Sequence, residues 1–327
     1  MSDRVPALPT SLQRVLKSEY LIFWLCIVLV VIAAPITPGF ASFDNVTNVL
    51  TIVAPLLLVA IGQTIVMIGG GIDLSVTATI AVTSVCGASL MSDDVGALRG
   101  SIVAVPVALT CMAILGVLIG AGNGTAIALL RMPPFIVTLS SMMFLFGLAT
   151  WFTSSRSIDQ LPTAFIRIGT YGPIVFSTTA CIAGAIYWLL NRSIFGRWLY
   201  AVGQNCQTAT VSGAPTRTVI VVSYIICGLL AAIASVMYTA QLETGSPVLG
   251  KNLLLDIIGA VVIGGTSLFG GKGKLQWTLG GVLFITLMDN VLNLHDLSHF
   301  AVMIAKGTFI LFAAYIDTLR KRWSDRE

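Results

Sequence analysis

Long apolar runs alternate with short polar or glycine-rich stretches along this chain. A helical bilayer crossing needs roughly 20 mostly apolar residues. Ten stretches qualify: 20–37, 50–69, 73–91, 101–122, 135–153, 174–190, 217–240, 254–265, 276–293 and 300–318. The eighth is short; the glycine-rich stretch after it either completes the crossing or folds back. The pattern predicts an all-α integral membrane protein of about ten transmembrane helices, several of them broken by glycine or proline.

Composition agrees with a bilayer solvent. The 327 residues are 56% hydrophobic and only 10% charged, against roughly 25% charged in soluble domains. A net charge of +4 suggests no nucleic-acid partner, because phosphate binding needs clustered Lys and Arg. The six cysteines form no C-x-x-C pair, so neither a disulfide framework nor a thiolate metal site is indicated.

The cations then set the topology. With the N-terminus inside, cytoplasmic segments hold Arg4, Arg14, Lys17, Arg131, Arg192, Arg197, Arg217, Lys272, Lys274, Arg320, Lys321, Arg322 and Arg326. External segments hold only Arg99, Arg156, Arg167 and Lys251. Thirteen against four is the positive-inside bias, and losing one span would reverse it downstream. Both termini are therefore expected in the cytoplasm. Residues 1–19 are read as an N-terminal interfacial segment, because Leu12, Val15, Leu16 and Tyr20 recur at helical spacing. About 20 fairly polar residues before the first run are long for a cleaved signal. Residues 20–318 form the transmembrane domain and 319–327 a basic cytoplasmic tail.

Four local patterns carry candidate chemistry. Gly69-Gly70-Gly71-Ile72-Asp73-Leu74-Ser75 joins the second and third spans. Its glycines permit a tight turn, and Asp73 or Ser75 can cap the next helix. On the residues alone, a functional element and a plain capped turn fit equally. The segment 191–218 is the longest internal polar stretch and is cytoplasmic. Residues 204–212 fit a short surface helix ended by Gly213 and Pro215, suited to a soluble partner; a solvated loop is the plainer alternative. The run Gly264-Gly265-Thr266-Ser267-Leu268-Phe269-Gly270-Gly271-Lys272-Gly273-Lys274 fails as a phosphate loop, because Lys272 precedes glycine rather than Ser or Thr. Asp289 and Lys306 fall at similar depth in adjacent antiparallel spans, so they are expected to form an intramembrane ion pair. On that basis Asp289→Asn should be better tolerated when Lys306 is also neutral. Asp256 reads as favourable charge at a helix start.

Two further patterns carry less. Gly116, Gly120 and Gly124, with Ala104 and Ala108, suit close helix packing, either sliding or, more simply, static. His295 and His299 have metal-like spacing but no further ligands, so no metal site is expected. No catalytic constellation is visible, and the chain is not expected to be an enzyme.

Three of these segments resemble one known family, the ribose-type permeases of bacterial ABC sugar importers, kin to branched-chain amino-acid permeases. The resemblance rests on Gly70 to Val76, on Gly203, Asn205, Ala209, Ser212 and Gly213, on Leu255 to Gly273, and on Leu292-Asn293-Leu294 followed by Lys306. It covers nearly the whole chain from about residue 20. Departures stand at Gln204, Cys206, Ala214-Pro215 and Asp289.

The resemblance implies a permease subunit in the bacterial inner membrane, carrying a pentose or hexose. It implies a second permease subunit, identical or paralogous. A cytoplasmic ATPase would bind ATP and Mg, and a periplasmic or extracellular sugar-binding protein would deliver cargo. It implies that Gly203, Gln204, Asn205, Thr208, Ala209, Ser212 and Gly213 lie in the ATPase-coupling segment. A branched-chain amino acid or nucleoside is the alternative cargo, and an ion-coupled secondary transporter the alternative class.

Overall fold

The computed structural model describes residues 21–298, 300–309 and 311–312. The expected interfacial segment 1–19, the basic tail 319–327 and His299 lie outside the described residues, as does part of the tenth stretch. All the named elements among the described residues are helices: α1 (Leu21–Ile36), α2 (Phe43–Ile68), α3 (Val76–Met91), α4 (Ala104–Ala128), α5 (Pro134–Phe152), α6 (Thr163–Thr170), α7 (Gly172–Arg192), α8 (Ile194–Gln204), α9 (Cys206–Val211), α10 (Thr216–Gln241), α11 (Leu253–Ile263) and α12 (Leu275–Leu294). A further apolar helix, α13, covers Phe300–Phe309.

Each of the ten apolar stretches carries one helix. Six of them, α2, α4, α5, α7, α10 and α12, are long and apolar enough to cross a membrane. The helices α1, α3, α11 and α13 are apolar but shorter. At 1.5 Å per residue, the 26 residues of α2 span about 39 Å, more than the roughly 30 Å hydrocarbon core.

Some boundaries differ from the sequence expectation, for local reasons. α2 begins at Phe43 rather than near residue 50, because the Ser42 side chain accepts from the Asn45 N–H and caps it there. The segment 191–218 is mostly helical rather than one polar stretch with a single short helix. α8 starts at the Ser193 cap, whose hydroxyl accepts from the Gly196 N–H at 3.1 Å. It then buries Gly196, Leu199 and Val202 on one face, a stripe the surrounding polar residues concealed. α6 is a further short helix between the fifth and sixth apolar stretches.

α2 and α10 form the centre. α10 packs along α4, α2, α3 and α6, while α12 packs on α2, α11 and α1. The α4–α10 contact is backbone to backbone. A Cβ on Gly116 would strike the Gly228 carbonyl, and one on Gly120 the Tyr224 carbonyl. Small residues let the helices approach this closely, and close approach is what packs helices in lipid. Buried hydroxyls add cross-helix bonds: Thr239 Oγ1 donates to Ser84 Oγ at 2.7 Å and Ser235 Oγ to the Ile80 carbonyl at 2.8 Å. Unpaired, these groups would be costly in an apolar medium.

Candidate functional site

The three motif segments, far apart in sequence, meet at one end of the bundle. The first is the turn between α2 and α3. α2 ends as Gly70 N–H donates to Met67 and Gly71 N–H to Val66, at 2.9 and 3.0 Å. Asp73 Oδ1 then accepts from both the N–H and the hydroxyl of Ser75, at 2.9 and 2.6 Å. Ser75 occupies the cap position of α3, but its side chain makes no capping bond. Asp73 therefore fastens the turn that leads into the helix, instead of capping it directly.

Four neighbouring helices hold this turn. Asn123 on α4 donates to Ser75 Oγ at 2.8 Å. Tyr224 on α10 and Thr138 on α5 both donate to the Ile72 carbonyl, at 3.2 and 3.3 Å. The Gln63 amide on α2, suitably oriented, donates to the Asp73 carbonyl at 3.0 Å and accepts from its N–H at 3.3 Å. Asp73 and Ser75 are buried, so each of these bonds satisfies a group that water cannot reach.

The second segment is the α8–α9 elbow. Asn205 breaks the helix with an extended backbone, and its side chain accepts from the Thr208 N–H at 2.9 Å, capping α9. Ser212 closes α9, and Gly213 turns the chain at a φ of 83°. Ala209 is buried and seats α9 on the body. Gln204, Asn205, Thr208, Ser212 and Gly213 are exposed, and Val211 is 91% exposed. α9 thus presents a small, mostly polar outer face.

The third segment is the glycine-rich loop joining α11 to α12. Gly264 caps α11, and Gly265 and Thr266 donate back to Val262 and Val261. Ser267 N–H donates to the Lys272 carbonyl at 2.9 Å, closing the loop on itself, and Ser267 Oγ accepts from the Phe269 N–H at 3.2 Å. The N–H groups of Gly270 and Gly271 are spent on the Ser267 and Ile68 carbonyls. They bond protein oxygens and do not form a cradle for phosphate.

The segments touch through glycines. Gly271 N–H donates to the Ile68 carbonyl at 2.9 Å. A Cβ on Gly203 would overlap that carbonyl and the Gly271 nitrogen, and one on Gly270 would lie 2.7 Å from the Gly203 carbonyl and 2.8 Å from Gly70 Cα. Gly273 lies against Ile68 and Thr266. Tyr200 on α8 donates to the Gly273 carbonyl at 2.8 Å. Burial pushes the Tyr200 hydroxyl above the usual phenol range, so it stays protonated as a donor near neutral pH.

Asp289 and Lys306 lie elsewhere, where α11, α12 and α13 meet. Lys306 Nζ stands 2.7 Å from Asp289 Oδ2. It also stands 2.8 and 3.0 Å from the two oxygens of Asp256. Asp256 is in the first turn of α11, but it is buried and ion-paired, which reading it as a helix-start charge left out. His295 Nε2 is 3.0 Å from Thr37 Oγ1.

Sequence reasoning passed over Tyr200, Gln63, Asn123 and Tyr224. Gln63 had a legible signal, being an amide within an apolar stretch, and Asn123 a weaker one, directly after the stretch 101–122. Tyr200 had none.

A family model described as "Branched-chain amino acid transport system / permease component" matches residues 45–313. The ribose import permease protein RbsC of Escherichia coli (strain K12) is 34% identical over 303 residues, covering 90% of this chain and 92% of that protein. RbsC of Bacillus subtilis (strain 168) is 38% identical, covering 89% of each chain. The galactose/methyl galactoside import permease protein MglC of Haemophilus influenzae is 28% identical, covering 93% of this chain and 95% of that one. No solved structure matches the chain.

Proposed function

The chain belongs to the branched-chain amino-acid transport permease family, in its ribose-type ABC permease branch, and on that premise we propose that it forms the membrane path of an ATP-driven monosaccharide importer. It is a multi-pass membrane protein. The proposed topology has ten crossings, with both termini in the cytoplasm of a bacterium. The asymmetry of thirteen cations to four supports that orientation. A pentose or hexose is the proposed cargo, by analogy with the ribose and galactose permeases.

Two permease subunits, identical or paralogous, enclose the path. A sugar-binding protein docks outside and an ATPase, carrying ATP and Mg, docks inside. The observation that carries this reading is the exposed α9 face backed by three interlocked glycine segments. A surface element can transmit force only if what lies behind it does not yield, and close-packed backbone leaves little slack. Alternating access then follows as a population shift, set by how differently each partner binds the two states.

An ion-coupled transporter is the competing class, favoured by the Asp256–Asp289–Lys306 cluster, since ionisable groups in spans often mark ion paths. The contacts of that cluster run between its own members, which suits a structural joint better. Purification from the native membrane separates the two classes. Co-elution of an ATPase subunit with nucleotide-dependent uptake supports the importer. A single chain that transports sugar alone, driven by an ion gradient, contradicts it.

A further inference from the structure

We infer that α8 is the lever carrying motion from the α9 docking face to the α11–α12 pair, with Tyr200 and Gly203 as its joints. This rests on the ATP-driven reading above. It adds the route by which motion leaves the coupling segment and gives a role to the glycine-rich loop.

α9 continues from α8 with only Asn205 between them, and the Asn205 side chain fixes the elbow by capping α9. α8 itself is held against the bundle by Leu199, which is fully buried, and by Val202. At its last turn α8 meets the glycine-rich loop at three residues, Tyr200, Gly203 and Gln204. Tyr200 Oη bonds the Gly273 carbonyl at 2.8 Å, and the Gln204 side chain lies against Gly271. Between these, Gly203 touches the Ile68 carbonyl at the end of α2 and the Gly271 nitrogen. Only glycine permits backbone against backbone at that distance. A displacement of α8 therefore cannot be absorbed by side-chain rearrangement at this point.

The loop receiving it is held together by its own backbone bonds. It spans residues 264–274 between α11, ending at Ile263, and α12, starting at Leu275. Its turns are closed by the Ser267–Lys272 and Gly270–Ser267 backbone bonds. It therefore moves as a unit with the helix ends on either side. Those two helices are joined again through Asp256, Asp289 and Lys306. By contrast, α10, which also follows α9 in the chain, is locked to α4 by backbone contact at Gly116 and Gly120. The pair α11–α12 meets α2 through side chains instead, in the Thr64–Thr278 and Asn45–Asn290 bonds, and such contacts yield more readily than backbone packed on backbone.

The test is Tyr200→Phe in the complete importer, reconstituted with its ATPase and binding protein in proteoliposomes. Both ATP hydrolysis and sugar uptake are measured. Loss of one hydroxyl bond to a carbonyl should cut uptake per ATP hydrolysed by about five- to tenfold, while hydrolysis stays within about twofold. A merely structural role would lower both rates together and leave their ratio unchanged; that result overturns the inference. If Tyr200→Phe does not assemble, Gly273→Ala, whose added methyl group meets the Ile68 and Thr266 side chains beside the Tyr200 bond, is read the same way. A wild-type complex whose uptake ignores ATP overturns the functional reading itself, and that is seen before any variant is made.

Discussion

Lys306 Nζ lies 2.7 Å from Asp289 Oδ2, but Asp256 offers the same lysine two oxygens at 2.8 and 3.0 Å. The lysine is thus shared between two carboxylates, and Asp256 joins the expected Asp289–Lys306 pair as a third member. Asp289→Asn leaves Lys306 neutralised by Asp256. It should cost less than about 1 kcal/mol of stability, near a surface substitution. Lys306→Met leaves two neighbouring carboxylates without a cation and should cost about 3–5 kcal/mol. Adding Lys306→Met to Asp289→Asn should make matters worse. Thermal unfolding in detergent ranks the three variants, and a double mutant more stable than Asp289→Asn would contradict the triad.

The α4–α10 seam predicts a contrast between neighbouring glycines. Gly120→Ala pushes a methyl group into the Tyr224 carbonyl, whereas a Cβ on Gly122 meets nothing within 4 Å. Overpacking should make Gly120→Ala destabilising by about 1–3 kcal/mol. Gly122→Ala should be neutral or slightly stabilising, because alanine favours the helix. Melting curves of the two variants, side by side, check this.

The turn after α2 depends on a chain of bonds from Asn123 to Ser75 to Asp73. Ser75→Ala removes the middle link and leaves the buried Asn123 amide without that acceptor. The expected loss is about 1–3 kcal/mol. Ser75→Thr keeps the hydroxyl and should recover much of it. Equal stability of the alanine and threonine variants would sink the assignment.

At the elbow, Asn205→Ala deletes the side-chain cap of α9. A lost cap costs about 1 kcal/mol. Because α9 is only six residues long, that loss should show mainly as poorer ATPase docking. Asn205→Asp, which keeps an acceptor oxygen, should bind the ATPase better than the alanine variant. Titrating the ATPase against detergent-solubilised permease measures both.

The helical architecture was legible because bilayer solvation imposes a single rule, about 20 apolar residues per crossing, and all ten stretches carry helices. Boundaries were less legible, since they turn on single side chains such as the Ser42 cap. α8 was hidden because its apolar stripe, Gly196, Leu199 and Val202, is diluted by arginine and polar neighbours. Each glycine motif was visible by itself. Their convergence was not, because no local pattern reports that Ile68 accepts from Gly271, some 200 residues away. The Asp256 contact was missed for the same reason: its position in a first turn already offered a sufficient local explanation. Gln63 and Asn123 could have been found, since a buried amide in a span demands a partner.

The most direct test of the central claim is uptake of radiolabelled ribose and galactose into proteoliposomes holding the permease with its ATPase and binding protein. Uptake is expected to need both partners and ATP, to persist when proton and sodium gradients are collapsed by ionophores, and to stop with a non-hydrolysable ATP analogue. Uptake that continues without ATP and disappears when the ion gradients are collapsed would contradict that claim.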